Sequence, residues 1–215
     1  MSLDSVRSHF DLSVASAGAV RDEPYRWAVL PGLADPGFMT TLAGRYPADG
    51  FFEAKREHGG DKTYRMNVLP IVRRDAPLPA AGELDPVWLD LAGFFGSPAY
   101  RNAMSEVAGQ DLSRAPMDVG FFRFHVGHAI SPHTDHREKI LTQIYYFHES
   151  WESEWGGCLR ILRTRSAEDV YAEILPLVQY SAVIVRSDRS WHMVTSGTPS
   201  MPGPRQTLQV EFWGD

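Results

Sequence analysis

Residues 119–147, VGFFRFHVGHAISPHTDHREKILTQIYYF, decide the fold class of this chain. The segment opens with an apolar run, Val119 to Val126, and closes with a second, Ile140 to Phe147, and each run predicts a β-strand. Between the two runs, His133 and Asp135 are separated by a single residue. Side chains one residue apart on an extended segment point to the same side, so both can reach one metal ion.

Short apolar runs separated by turns continue downstream of this segment. Gly156-Gly157 is a turn signal, and Cys158, directly after it, is predicted to be buried in an apolar setting. Closely spaced short strands are typical of a sandwich or a jelly roll. The further predicted strands are Cys158 to Leu162, Val170 to Leu175, Ala182 to Arg186 and Thr207 to Trp213.

The first half of the chain carries three helix starts, in which a capping residue precedes proline: Asp35-Pro36, Asp85-Pro86 and Ser97-Pro98. The apolar positions expected to pack after these starts are Phe38, Leu42 and Tyr46; Val87, Leu89, Leu91 and Phe94; and Tyr100, Met104 and Val107. Pro70 to Pro79 is interpreted as a loop. We predict a mostly β fold with flanking helices in a single domain, residues 1–215. Residues 1–117 are expected to supply mainly helical support and substrate loops, and residues 118–215 a jelly-roll core.

Composition excludes several classes of protein. The formal net charge of −6 disfavours a nucleic-acid partner, which usually needs a clustered basic face. No apolar run approaches the roughly 20 residues of a membrane helix, and the polar N-terminus lacks the apolar stretch of a signal peptide. A cytoplasmic protein without a membrane partner is therefore expected. One cysteine excludes an intrachain disulfide and a cysteine-rich zinc site.

His192 is the best candidate for a third metal ligand, because it follows a predicted strand and a polar turn. Two imidazoles and one carboxylate suit Fe(II) in a facial triad. The spacing alone is weak evidence, since His9-Phe-Asp11 repeats it near a terminus and His136-Arg-Glu138 competes directly beside the favoured pair. His125 and His128 are three residues apart and are predicted not to converge.

Five segments, in order, resemble the 2-oxoglutarate and Fe(II)-dependent oxygenase superfamily, within its prolyl-hydroxylase-like branch. They are FFRFHVGHAISPHTDH, KILTQIYYF, WGGCLRIL, SDRSWHMV and RQTLQVEFW, between about Asp118 and Trp213. The resemblance implies a double-stranded β-helix (jelly roll) core. It also implies Fe(II) held by His133, Asp135 and His192, with 2-oxoglutarate and O2 as cosubstrates.

The resemblance also implies contacts to the cosubstrate. Arg205 would pair with the distal carboxylate of 2-oxoglutarate, since a guanidinium can form a two-pronged salt bridge. Thr207 would face the same side of its strand, and Thr142 and Tyr146 would line the pocket from another strand. The alternatives are that Arg205 is a surface charge and that Tyr146 is a core aromatic residue.

Several further residues are weaker candidates for contacts. Trp151 and Trp155 form either a substrate lid or plain packing, and the branch often has tyrosine where this chain has Phe124 and Ile130. The remaining candidates for substrate contacts are Tyr64, Arg65, Asn67, Arg123 and Arg163.

The implied reaction is oxidative decarboxylation of 2-oxoglutarate to succinate and CO2, coupled to hydroxylation of a small-molecule, amino-acid or peptidyl substrate. Desaturation or ring formation is an alternative outcome at the same metal. The chief rival is a cupin-like metalloprotein, a dioxygenase or isomerase that does not use 2-oxoglutarate. A non-catalytic binding module is a second rival, and nucleic-acid demethylation is disfavoured by the acidic charge balance.

Overall fold

The structure, a computed structural model, describes residues 3–214. In this range the chain forms a 13-stranded sheet and four α-helices. The helices are α1 (Leu3–Arg7), α2 (Pro36–Ala43), α3 (Val87–Phe95) and α4 (Pro98–Ala108). The strands are β1 (Val20–Arg21), β2 (Trp27–Pro31), β3 (Phe52–Arg56), β4 (Tyr64–Arg73), β5 (Ala76–Pro77), β6 (Met117–Phe124), β7 (Ala129–His133), β8 (Lys139–Tyr146), β9 (Leu159–Leu162), β10 (Val170–Ile174), β11 (Tyr180–Val185), β12 (His192–Val194) and β13 (Arg205–Trp213). No helix within residues 3–214 has the length and apolar character needed to span a membrane.

Two of the three predicted helix starts, at Asp35 and Ser97, are confirmed. Asp35 accepts a hydrogen bond from the Phe38 backbone N–H at 2.7 Å, and Ser97 accepts one from the Tyr100 N–H at 3.3 Å. Asp85 accepts a hydrogen bond from the backbone N–H of Val87 at 3.0 Å, but Pro86 is the N-cap of α3, so this helix begins one residue later than predicted. Each side chain thus satisfies a backbone donor that the first turn of a helix leaves unpaired.

One expected packing position, Leu89, is wrong, and another, Tyr46, lies outside its predicted helix. Leu89 is 36% exposed, because 3.6 residues per turn place it about 200° around α3 from the buried Val87. Tyr46 lies beyond the end of α2 at Ala43, so it does not continue the helical face. It still packs inward, edge-on to Phe121 with ring centroids 5.1 Å apart.

The strands pair antiparallel in the order β1-β2-β11-β8-β13-β6-β4-β7-β12-β9-β10, with β3 and β5 also paired to β4. The sheet curls, because Ile144 of β8 and Ile184 of β11 pack in one buried cluster with Leu159 and Ile161 of β9. The mostly β fold with a jelly-roll core is confirmed. The predicted strands of the second half lie within two residues of those in the structure.

The helices cover the convex face of the sheet. Trp88 of α3 lies edge-on to Phe121 of β6 at 4.7 Å, and Phe95 stacks on Tyr145 of β8 at 5.3 Å. Burial of such aromatic surface is the main stabilising contribution to this layer. The helical layer therefore supports the sheet from outside and leaves its concave face free for a site.

The first half of the chain is less helical than predicted. It contributes five strands, and the ten-residue β4 lies between β6 and β7 in the sheet. The loop predicted from Pro70 to Pro79 is wrong at both ends, since Pro70 lies in β4 and Ala76–Pro77 forms β5. Proline is accommodated because the pairing of β4 with β6 shifts register between Pro70 and Val72.

Candidate active site

His133, Asp135 and His192 converge in the structure. His133 ends β7 and His192 begins β12, and the two residues lie opposite each other where these strands pair. Asp135 follows His133 by two residues, and its Oδ1 lies 3.8 Å from His133 Nε2 and 3.9 Å from His192 Nε2. One potential ligand atom from each residue lies within 4.8 Å of the others, and all three side chains are buried.

Backbone carbonyls orient both imidazoles. His133 Nδ1 lies 2.9 Å from Ser131 O, and His192 Nδ1 lies 2.8 Å from Ser190 O. A carbonyl can only accept, so each Nδ1 carries the proton and each Nε2 presents its lone pair toward Asp135. Burial lowers the pKa of both rings, and for His133 the neighbouring imidazole lowers it further. Both are therefore held in the neutral form that binds metals.

Asp135 is held as a carboxylate by its neighbours. Its Oδ2 accepts a hydrogen bond from Thr142 Oγ1 at 3.0 Å, which leaves Oδ1 facing the imidazoles. Lys139 Nζ lies 3.5 Å from Oδ1. Burial raises the pKa of Asp135, but the nearby positive charge, that of the Lys139 ammonium first, outweighs it, so the pKa lies well below its usual range.

Arg205 is a fully buried guanidinium without a hydrogen bond. Its exposed fraction is 0%, and none of its three side-chain nitrogens has a hydrogen-bond partner within residues 3–214. The guanidinium lies 4.9 Å from the centre of the Phe124 ring and 5.4 Å from that of Tyr146. An unpaired buried cation is costly, so the site is built for an anion. The interpretation of Arg205 as surface charge is wrong.

A close glycine makes room for this arginine. A Cβ on Gly157 would lie 3.1 Å from Arg205 Cδ, and the φ of Gly157 is +68°. Both the space and the left-handed backbone favour glycine at this position. The Gly-Gly turn seen in the sequence therefore packs directly on the guanidinium stem.

One cavity of about 120 Å³ contains both features. Its wall includes the three converging residues, Arg205 and Thr142, and its apolar wall includes Ile144, Leu159, Ile184 and Val194. Tyr146 and Thr207, both predicted to contact a cosubstrate, are fully buried next to the cavity but do not line it. Thr207 faces the same side of β13 as Arg205, and its hydroxyl makes a long contact to Phe122 O at 3.5 Å.

The comparisons with known proteins agree with this geometry. The family model of the 2OG-Fe(II) oxygenase superfamily matches residues 119–211. The match covers 93 of the 215 residues, and over this range the chain is similar to that superfamily. The superfamily uses Fe(II), 2-oxoglutarate and O2, and the predicted resemblance is confirmed. The comparison with curated proteins gives no match.

Solved structures of 2OG-Fe(II) oxygenases share the fold. A prolyl-4-hydroxylase from Pseudomonas putida is 15% identical, with a TM-score of 0.56 over 93% of this chain and 98% of that chain. A prolyl hydroxylase from Trichoplax adhaerens, in complex with a peptide fragment of hypoxia inducible factor, is 14% identical, with a TM-score of 0.55 over 87% and 83%. The α-ketoglutarate-dependent epimerase SnoN from nogalamycin biosynthesis is 12% identical, with a TM-score of 0.56 over 99% and 82%. At these identities the likeness shows the shared fold alone.

The competing metal pairs lie elsewhere in this oxygenase fold. His9 stacks on Phe38 with ring centroids 4.2 Å apart, while Asp11 caps a short turn through Ser13. His136 and Glu138 are exposed and 3.9 Å apart, outside the converging group.

His125 and His128 lie closer together than predicted, but within residues 3–214 they are not part of a converging group of three metal ligands. Their rings meet edge to face, with centroids 5.2 Å apart. His128 is buried with its Nε2 4.0 Å from Glu53 Oε1, whereas His125 is exposed. Within residues 3–214, His133, Asp135 and His192 are the one group of three or more such residues whose ligand atoms converge.

Of the two alternatives for Trp151 and Trp155, a lid or plain packing, the contacts favour packing. Trp151 is 5% exposed, donates from Nε1 to Gly156 O at 2.8 Å and packs on His148 with ring centroids 4.4 Å apart. Trp155 packs edge-on to Trp151 at 5.6 Å. Cys158 is fully buried, as predicted.

The candidates for substrate contacts do not line the cavity either. Arg65 pairs with Glu53 at 2.7 Å, and Arg163 lies 3.6 Å from Asp169. Arg123 packs over Phe51 at 4.1 Å. The wall of the cavity includes none of Tyr64, Arg65, Asn67, Arg123 and Arg163. Ile130 does line it, at one of the two positions where the branch often has tyrosine.

Sequence reasoning missed three charged residues of the cavity. Lys139 lies 2.7 Å from Glu211 Oε1 as well as near Asp135, and Lys62 reaches the same cavity from the β3–β4 connection. Glu211 could have been found from Arg205, because positions six apart on one strand share a face. No strand periodicity points to Lys62, because a lysine in a Gly-rich loop is usually exposed on the surface.

Proposed function

We propose that this protein is a non-haem Fe(II) and 2-oxoglutarate-dependent dioxygenase that hydroxylates a C–H bond of a small-molecule, amino-acid or peptidyl substrate. The observation that carries the proposal is the unpaired, fully buried guanidinium of Arg205 in the same cavity as three converging metal-ligand side chains. An anion-binding group and a metal-binding group in one cavity fit a cosubstrate that bears a carboxylate at each end. The cytoplasmic location and the single domain remain predictions.

The donor set fits Fe(II). His133 and His192 would bind through their neutral Nε2 atoms, and Asp135 through Oδ1, because its Oδ2 is engaged by Thr142. Two imidazoles and one carboxylate leave further coordination positions of the metal open. The carbonyls of Ser131 and Ser190 keep the rings in the metal-binding tautomer.

Arg205 would bind the distal carboxylate of 2-oxoglutarate. Thr142, which contacts Asp135, and Tyr146, which lies against Arg205, are four residues apart on β8, a rise of about 13 Å. A five-carbon dicarboxylate suits a site with a metal at one end and a guanidinium at the other. The aromatic rings of Phe124 and Tyr146 lie next to the fully buried guanidinium, and the low dielectric of this setting would strengthen a charge-assisted pair with a carboxylate.

When bound, Fe(II) would supply the centre at which O2 is activated with electrons from 2-oxoglutarate, yielding succinate, CO2 and an oxidised substrate. The residues of the chain orient and shield this chemistry. Ile144, Leu159 and Ile184 form an apolar wall that limits water at the reacting groups. Thr142 and Lys139 hold the Asp135 carboxylate in place.

Anaerobic addition of Fe(II) and then 2-oxoglutarate to the apo-protein tests the proposal by visible absorption. A weak charge-transfer band that needs both additions is the expected result. Iron binding without such a band would instead favour the cupin-like alternative, and no iron binding would contradict the ligand assignment.

Isotope labelling tests the finer claim of hydroxylation once a substrate is found. Turnover under ¹⁸O₂ is expected to place one labelled oxygen in succinate and one in the product. An oxidised or stereochemically inverted product without label would indicate that the reaction is desaturation, ring formation or epimerisation and not hydroxylation.

A further inference from the structure

Lys62 is a cation of the cavity that has no partner of its own. Its side chain lines the cavity together with Asp135, Lys139 and Glu211. Lys139 is engaged, since its ammonium lies 2.7 Å from Glu211 and 3.5 Å from Asp135. Within residues 3–214 the Lys62 ammonium forms neither a hydrogen bond nor a salt bridge. It is thus a partly desolvated charge that an anion would stabilise.

The backbone next to Lys62 is fixed to the strand that carries a candidate ligand. Thr63 N donates to Ser131 Oγ at 2.9 Å, and Ser131 N donates to Thr63 O at 2.9 Å. Ser131 O in turn orients the ring of His133. Lys62 is therefore held beside the candidate metal centre, although the preceding Gly59 and Gly60, both with φ of +76°, belong to an exposed turn.

Lys62 and Arg205 lie toward different ends of the cavity. Asp135, Lys139 and Glu211 are among the charges that act on Lys62, whereas the groups that act on Arg205 are Tyr146, Cys158 and Tyr46. Glu211 pairs with Thr142 across β13 and β8, while Thr207, near Arg205, pairs with Tyr146. The candidate metal centre lies beside Thr142, which donates a hydrogen bond to Asp135. Lys62 therefore lies on the same side of the cavity as the metal centre, whereas Arg205 lies about four residues away along β8.

When each charge of the cavity is paired in turn, one cation remains that could bind a second anion. Under the proposed function, Arg205 takes the distal carboxylate of 2-oxoglutarate and Asp135 is neutralised by the metal it holds. Glu211 is already paired with Lys139. Lys62 is the cation that remains, and neither the metal centre nor the cosubstrate requires it.

We propose that the substrate is a small carboxylic acid whose carboxylate is bound by Lys62, next to the candidate metal centre and away from Arg205. This inference rests on the proposed function and names its substrate class. The carboxylate would hold one end of the substrate at Lys62, and the length of the lysine side chain would set the distance of that end from His133. A free amino acid or another small organic acid meets this requirement, and a neutral residue inside a peptide does not.

A panel of acids and amides tests the inference. The free proteinogenic amino acids and the straight-chain acids up to octanoate are assayed, each beside its primary amide, for stimulation of succinate release. Binding without turnover is measured in parallel, as the shift in melting temperature of the Mn(II) and 2-oxoglutarate complex under nitrogen. At least one acid is expected to bind and stimulate about tenfold more strongly than its amide.

Variants of two lysines on the same hairpin assign the effect. Lys62→Met is expected to raise the KM and the dissociation constant of that acid about tenfold or more, while Lys62→Arg retains most binding. Lys55→Met is the matched control, because Lys55 pairs with Glu57 at 2.7 Å and does not line the cavity. Affinity for 2-oxoglutarate should stay the same in all three variants.

The failure of this inference differs from the failure of the proposed function. If the wild-type protein forms no charge-transfer band with Fe(II) and 2-oxoglutarate, the proposed function fails, and this inference fails with it. If the band forms but amides act as well as acids, or Lys62→Met binds the acid normally, the substrate class alone is overturned. A panel in which no acid binds or stimulates, in a protein that forms the band, also overturns it.

Discussion

His133 and His192 lie directly opposite each other on paired antiparallel strands, with ring centroids 4.2 Å apart. The two residues are 59 positions apart in the sequence, and the register of β7 with β12 brings them together. The position of the candidate metal centre therefore depends on strand pairing across the sheet, and on Asp135 in the segment that leaves β7.

Replacing any of the three ligand side chains should abolish metal binding and oxidation. For His133→Ala, Asp135→Ala and His192→Ala we expect Fe(II) affinity to fall by more than about 100-fold, because each variant removes one of three protein ligands. Anaerobic Fe(II) titration measures the loss, and circular dichroism checks that the fold is intact. His136→Ala is the matched control and should bind Fe(II) normally. Full turnover in a ligand variant would rule out the assignment.

Thr142 should act on the metal through Asp135. Thr142→Val keeps the shape of the side chain and removes the hydroxyl that donates to Asp135 Oδ2. We expect Fe(II) affinity to fall about 10- to 100-fold, with Thr142→Ser close to the wild type. If 2-oxoglutarate affinity falls while metal affinity is unchanged, the direct cosubstrate contact predicted from the sequence is the better account.

Arg205 should control cosubstrate affinity with little effect on the metal. Loss of a charge-assisted pair in Arg205→Met is expected to raise the dissociation constant of 2-oxoglutarate about 10- to 100-fold, and Arg205→Lys should recover part of it. Isothermal titration of 2-oxoglutarate into the Mn(II) protein measures the dissociation constant of each variant. Unchanged affinity for 2-oxoglutarate in Arg205→Met would argue against the assigned role.

His148 should make the folded state sensitive to acid. Its Nε2 accepts a hydrogen bond from Gln206 N at 2.9 Å, and burial, with Arg205 nearby, lowers its pKa to about 4. The unfolded chain, with an ordinary pKa near 6.5, then binds a proton that the folded chain does not bind between pH 6.5 and 4. Stability should therefore fall as the pH falls through this window, by at most about 3 kcal/mol from this group.

Urea unfolding at several pH values checks this prediction. His148→Gln lacks the titrating group, so the stability of the wild type relative to this variant should decrease from pH 6.5 to pH 4. A difference that does not change with pH would show that His148 is not responsible for acid sensitivity.

Local patterns predicted part of this fold well. Asp35 and Ser97 each cap the start of a helix, as predicted, because the capping interaction involves only the next three residues. The last strand was predicted to begin at Thr207, and in the structure it begins two residues earlier, at Arg205. The convergence of His133, Asp135 and His192 was an expectation from resemblance, and the structure brings these residues together.

The predictions from sequence failed where the structure depends on contacts between residues far apart in the chain. The β4 strand contains Pro70, and proline argues against a central strand unless a bulge accommodates it. No local sequence pattern predicts that bulge. Lys62 reaches the cavity because Thr63 pairs with Ser131, 68 residues later. Trp151 resembled a lid residue because it lies in an acidic loop, but its indole packs into the core behind Arg205.

The burial of the Arg205 guanidinium without a carboxylate partner has a consequence for the abundance of the protein. A fold that buries an unpaired charge gives up stability that a dicarboxylate restores on binding, and a ligand at about 100 times its dissociation constant adds about 2.7 kcal/mol. Under the proposed function, resistance to proteolysis would follow the supply of 2-oxoglutarate. The chain would be degraded fastest when its cosubstrate is scarce, so its abundance would follow the conditions under which it can work.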